Sequence, residues 1–99
     1  MANSLVGRTW TLDTASTTVN IISTPVRIIS MEWSPAAADN DLVVKDGSGN
    51  PLWVIRAKTG APNNEDYAIE KWTNPSPEVP FHGLRLHTID GGTLYVTIA

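Results

Sequence analysis

The chain has 99 residues, seven of them basic and ten acidic, giving a formal charge of −3, and it contains no cysteine. That length suits one domain and hardly two, and folding can bury roughly two-thirds of the unfolded surface without a staple. Disulfides and thiolate metal sites are excluded. Nucleic acid is disfavoured as a partner, because Arg8, Arg27, Lys45, Arg56, Lys58, Lys71 and Arg85 stand singly and form no run for phosphates.

Charged residues make up 17% of the chain, below the usual quarter, which suggests that partners cover part of the surface. No apolar run approaches the length of a membrane span, and "MANSLVGRTW" lacks a basic region followed by an apolar core. The expectation is a protein made in the cytoplasm, with no export signal of its own and no membrane contact.

Taken in order, the residues read as short strands roughly ten residues apart, the spacing of a sandwich or barrel. Residues 1–6 are a candidate N-terminal arm of a single domain spanning 1–99. Strands are expected at Gly7–Asp13, Thr18–Ser23, Val26–Trp33, Asp41–Asp46, Leu52–Lys58, Tyr67–Trp72, Leu84–Ile89 and Thr93–Ile98. "SPAAADND", residues 34–41, is the one stretch with helical residues, and its proline and turn formers limit it to a loop or a single turn. Turn residues separate most strands: Thr24-Pro25, Asp46-Gly47, the run from Gly60 to Asn64, and Asp90-Gly91-Gly92. "TNPSPEVPFHG", residues 73–83, carries Pro75, Pro77 and Pro80. It cannot pair as an interior strand, so it is read as an extended crossover from one sheet to the other.

Alternation separates the faces. Leu94, Val96 and Ile98 point one way in the last strand, and Thr93, Tyr95 and Thr97 the other. "VRIISMEW" and "LWVIRA" instead place large apolar groups on both sides, the pattern of a strand whose outer face docks on another protein or lies under a loop.

Of the stretches that could carry chemistry, "DGSGNPLW" (residues 46–53) is the foremost. A calcium loop counted from Asp46 would need glycine sixth and glutamate twelfth, where Pro51 and Ala57 stand. A phosphate loop would need Lys-Ser/Thr opening a helix, and Asn50-Pro51-Leu52 follows instead. A hairpin turn between two Val-rich runs fits both sides. Ser48 does not sit on a strand-to-helix elbow. His82 and His87 lack a third zinc ligand other than Glu78 or Asp90, and read as surface or loop histidines. Glu32 and Glu70, each in a strand beside tryptophan, are the carboxylates that could form a glycosidase pair, though a domain this small has little room for a deep cleft. Trp10, Trp33, Trp53 and Trp72 could form a sugar-binding platform. Each lies in a different expected strand, which favours core or protein interface. No catalytic residue, cofactor or metal is expected.

"LVGRTWTLDTAS", "VVKDGSGNPLWVIRA" and "GLRLHTIDGGTLYVTI" together resemble small all-β virion proteins of tailed bacteriophages, over nearly the whole chain. The resemblance implies an all-β fold, a single antiparallel β-sandwich of about eight short strands, with a jelly roll among its candidate arrangements. It implies a structural role in the virion without catalysis: a capsid decoration or cement protein first, a tail or head-fibre accessory second. The competitor from another class is a carbohydrate-binding module. The expected partners are the major capsid protein or other virion subunits, with homo-oligomers in the particle. The expected contact residues are Leu5, Val6 and Trp10 near the N-terminus, and Trp72 and Phe81 at the two ends of the crossover.

Overall fold

The computed structural model describes residues 3–35, 40–56 and 70–99. Eight strands lie among them: β1 (Ser4–Val6), β2 (Thr9–Leu12), β3 (Ile28–Ser34), β4 (Asp41–Lys45), β5 (Pro51–Arg56), β6 (Glu70–Thr73), β7 (Arg85–Ile89) and β8 (Thr93–Ile98). They form a five-stranded sheet in the order β1-β2-β8-β3-β6 and a three-stranded sheet in the order β5-β4-β7, antiparallel throughout. The fold is a small all-β sandwich, as expected.

Side-chain alternation decides which face of each strand is buried. Register aligns Leu5, Trp10, Val96, Met31 and Trp72 in one cross-strand row, and Leu12, Leu94, Trp33 and Glu70 in the next. The buried members of these rows meet Leu42, Val44, Leu84 and Leu86 in a single apolar core. The opposite rows are polar: Thr9, Thr97, Ser30 and Thr73, then Thr11, Tyr95, Glu32 and Lys71. One dry and one wet face per sheet is the arrangement that alternation favours in an antiparallel sandwich. Val6 in β1, Ile29 beside the bulge in β3 and Val54 in β5 escape it, all exposed.

The pairings nest. β4 pairs with β5, β3 with β6, residues 21–22 with Leu84 at the start of β7, and β2 with β8. The chain is therefore one long antiparallel hairpin, doubled back at the turn after Lys45 and rolled into two layers, which is the connectivity of a jelly roll. Segment 16–22 occupies the fourth position of the smaller sheet, against the free edge of β7. It makes only scattered bonds there: Ser16 N–H to Leu86 O (2.9 Å), Ile21 N–H and Ile22 N–H to Leu84 O (2.8 Å and 3.1 Å), and Leu84 N–H to Ile22 O (2.9 Å).

That segment is where the expected strand Thr18–Ser23 fails, since a single bridge, Ile22 to Leu84, replaces a ladder. The Ser16 hydroxyl accepts from the amides of Thr18 (3.3 Å) and Val19 (3.0 Å), a local turn that takes donors a strand would use. The expected strand Gly7–Asp13 also shortens, because Gly7 (φ 62°) and Arg8 form the two-residue turn of a β1–β2 hairpin. Of the expected arm, Ser4–Val6 thus form β1. The Asn3 side chain fixes its start, accepting from Asp13 N–H (2.9 Å) and Thr14 N–H (3.0 Å) and donating to Thr14 O (2.9 Å). The Pro-rich stretch does cross between sheets, from β6 to β7. It leaves through buried Asn74, whose amide donates to Ile28 O (2.7 Å), and returns through a bridge between Phe81 and Val26. Residues 36–39 of the expected loop at 34–41, and the whole Gly60–Asn64 turn, lie outside the described residues.

Trp33 is the largest fully buried side chain, and its indole N–H donates to Gly91 O at 3.1 Å, tying β3 to the β7–β8 corner. Trp33→Phe leaves that carbonyl without its partner and a void beside it. It should cost about 2 kcal/mol or more, read as a lower urea midpoint at unchanged slope.

Candidate interaction surface

The turn at Asp46–Asn50 is built around its first carboxylate. Asp46 is buried, at 5% exposure. Its Oδ1 accepts the amides of Ser48 (2.9 Å) and Asn50 (2.8 Å), its Oδ2 accepts Asn50 Nδ2 (3.2 Å), and its own N–H donates to Asn50 O (2.9 Å). Both carboxylate oxygens are thus used within the turn, leaving no open ligand set. Gly49 has φ +89°, and a side chain on Gly47 would strike the His82 carbonyl, so the two glycines are required for different reasons. Burial acts to raise the Asp46 pKa. The bonds from Asn50 and Ser48, with the nearby His82 charge, outweigh it and hold the carboxyl below its ordinary value.

Arg85 locks this turn to the irregular segment. Its Nε donates to Asn20 Oδ1 (2.8 Å), Nη1 to Thr17 O (3.3 Å) and Nη2 to Gly47 O (3.3 Å), and Asn20 Nδ2 also reaches Gly47 O (3.3 Å). Five N–H donors in a planar fork suit one side chain to three separate acceptors. The sequence around Arg85 carries no signal of this role.

The other candidates for chemistry disperse. Glu32 lies on the outer face, 3.6 Å from Lys71 Nζ, whereas Glu70 stands in the inner row beside Trp33. The two carboxylates occupy opposite faces of one sheet and cannot flank a substrate together. His82 is exposed, and His87 Nδ1 lies 2.9 Å from Thr88 Oγ1. Among the described residues no group of three His, Cys, Asp or Glu converges as metal ligands, and no helix is long and apolar enough to cross a membrane.

The tryptophans all belong to the core side. Trp33 is fully buried, and Trp10, Trp53 and Trp72 are half-buried and packed against the core cluster. None is among the exposed large apolar residues, so they present no shared flat platform.

An open groove of about 650 Å³ remains at the β1–β2 margin. Leu5 and Trp10 form one wall, Pro25 and Val26 another, and Glu78 and Pro80 of the crossover close it beside Ile98. The five-stranded sheet overhangs its narrower partner here, so Leu5 remains 45% exposed. The indole N–H of Trp10 is buried at this margin with no acceptor.

The expected contact residues therefore divide. Leu5 and Trp10 share the groove. Val6 points to the outer face, 76% exposed, in register with Thr9. Trp72 and Phe81 stack at a tilt, with ring centroids 6.3 Å apart and planes at 50°, and both pack on the core. Their neighbours Val79 and Pro80 carry the exposed surface of the crossover.

Comparison with known protein families, with curated proteins and with solved structures finds no match to this chain. The class of molecule rests on the fold: a rolled two-sheet β-sandwich with one apolar margin.

A group whose folded pKa lies below its unfolded value contributes stability that is complete above the unfolded value, near 4, and is lost as pH falls through the folded one. Asp46→Asn should therefore cost about 2 kcal/mol at neutral pH, by losing bonds to a charged acceptor, and should flatten the stability profile below about pH 4. Ser48→Ala is the control, expected to leave both unchanged. Chemical denaturation of the three proteins between pH 2 and pH 7 checks this.

Proposed function

We propose that this chain is a non-enzymatic structural protein of a bacteriophage virion, most specifically a capsid decoration or cement protein that strengthens the shell through protein–protein contacts. The observation that carries the reading is the groove. Two sequence segments expected to make contacts, the N-terminal strands and the Pro-rich crossover, line one largely apolar recess, Leu5 and Trp10 against Glu78 and Pro80, with Arg27 also at its surface. A protein that reinforces a shell needs such apolar anchors, repeated by symmetry, and no reacting centre. Prolines in the crossover lower the entropy lost on docking. The likeness of strand and turn patterns to small virion proteins supplies the particular assembly.

Jelly rolls serve in capsids and also in lectins, so the fold alone favours neither role. The inward placement of all four tryptophans favours protein contact over a stacking surface for sugar rings. A tail or head-fibre accessory uses the same surface chemistry and is separated by where the protein sits on the particle.

The test is cryo-electron microscopy of the phage particles that carry this protein. Density of its size in a regular array on the capsid is the expected result. Density on the tail or head fibres selects the accessory role, and a protein recovered only free of particles overturns the virion reading. Pro80→Arg, at an exposed position, should weaken binding to purified shells at least about tenfold while leaving the unfolding midpoint unchanged.

A further inference from the structure

We propose that Asp90 is a site of spontaneous modification, where the link to Gly91 isomerises through a succinimide to isoaspartate and loosens the β7–β8 corner, while the chain's other Asp-Gly pair is spared. The inference concerns the purified chain and does not rest on the virion reading.

Sequence supplies two candidates. Asp46-Gly47 and Asp90-Gly91 are the only Asp-Gly pairs in the chain, and a following glycine leaves its amide nitrogen unshielded by a side chain. The reaction needs no co-reactant beyond water. The Gly91 nitrogen attacks Asp90 Cγ, its proton and one carboxyl oxygen leave as water, and a five-membered imide forms. Water then opens the imide at either carbonyl. Opening at Cγ restores aspartate. Opening at the main-chain carbonyl leaves Gly91 joined through Cγ, which lengthens the backbone by a carbon.

The folded structure separates the two pairs. Neither glycine N–H has an acceptor among the described residues, so the difference lies in the carboxyls. That of Asp46 is buried and engaged at both oxygens, by the Ser48 and Asn50 amides on Oδ1 and by Asn50 Nδ2 on Oδ2. Turning its Cγ onto the Gly47 nitrogen breaks those bonds where water does not replace them. Asp90 is exposed, in the connection between β7 and β8. Its Oδ2 accepts the Asp41 N–H at 2.9 Å. That donor polarises Cγ and faces the oxygen on which charge develops as the nitrogen adds, the role of an oxyanion hole. Oδ1 carries no bond among the described residues and is the oxygen that leaves.

Modification here reaches the core. Asp90 N–H donates to Asp41 O at 3.0 Å, and Gly91 O accepts the Trp33 indole N–H. Gly92, at φ +80°, packs so closely on Ser34 that a Cβ would strike its carbonyl oxygen. The corner has no slack for an added backbone carbon, so the isoaspartyl chain loses the Trp33 tie.

Warm incubation of the full chain at mildly acidic pH, native and in urea, reads the outcome by peptide mapping with an isoaspartyl methyltransferase as probe. The native chain should gain isoaspartate at position 90 at least about tenfold faster than at position 46. Urea should bring the two rates together. Asp90→Glu, which would have to close a six-membered ring, should stay unmodified at that position. The isolated isoaspartyl fraction should unfold at a lower urea midpoint than the parent. Equal rates in the native chain, isoaspartate first at position 46, or none in the native chain overturns the proposal. So does a preference for position 90 that persists in urea, or an isoaspartyl fraction as stable as the parent.

Discussion

The fold depends on one turn. Because the pairings nest, the bend from Asp46 to Asn50 is the innermost closure of the whole molecule, and every other strand pair lies outside it. Its geometry rests on a buried carboxylate that accepts two backbone amides and one side-chain amide. The same turn presents the Gly47 carbonyl, on which Arg85 and Asn20 converge, so the apex of the hairpin also holds the irregular segment at the edge of β7. Charge-assisted hydrogen bonds in a secluded site are stronger than neutral ones, which suits a single residue to set the registration of two layers.

Unequal layers follow from that roll. The wider sheet gains β1 by a local hairpin outside the nest, while the narrower sheet gains only segment 16–22, whose Ser16 turn prevents a regular ladder. Five strands therefore face three and an irregular fourth. Most of the exposed inner surface is closed by the connections, with Val26 bridged to Phe81 and Trp72 packed beside it. The end of the Leu5 row is left open. The groove, the exposed Leu5 and the unaccepted Trp10 indole N–H all belong to that one overhang. The margin sets apolar Leu5, Trp10, Pro25 and Pro80 beside the charged Arg27 and Glu78.

Much of the fold was legible because alternation and turn chemistry are local. The strict alternation of "TLYVTI" gave β8 with its bounds, Asp-Gly between two Val-rich runs gave the β4–β5 hairpin, and three prolines gave the crossover between sheets. What failed was equally local in origin. "TTVNIIS" has strand residues, but Ser16 captures two of its amides, and a hydroxyl turn leaves little trace in a propensity reading. "VGRT" held a two-residue hairpin signal, glycine at the first turn position, between runs too short to announce two strands. The surface was only half legible. Leu5 and Trp10 were expected as contacts, yet the residues that complete their groove lie a dozen or more positions away and meet only in the rolled structure. The central place of Arg85 was not legible at all, since its three acceptors come from two distant loops.

The claim that bridges between distant segments close the roll is tested most directly by residue-resolved amide hydrogen exchange on the wild-type chain. Protection of the Ile21, Val26, Phe81 and Leu84 amides, each bonded across the closing segments, should be high. The Leu5 amide, which faces away from β2, should exchange freely. Free exchange at Phe81 and Leu84, at the rate of the Leu5 amide, would contradict the account.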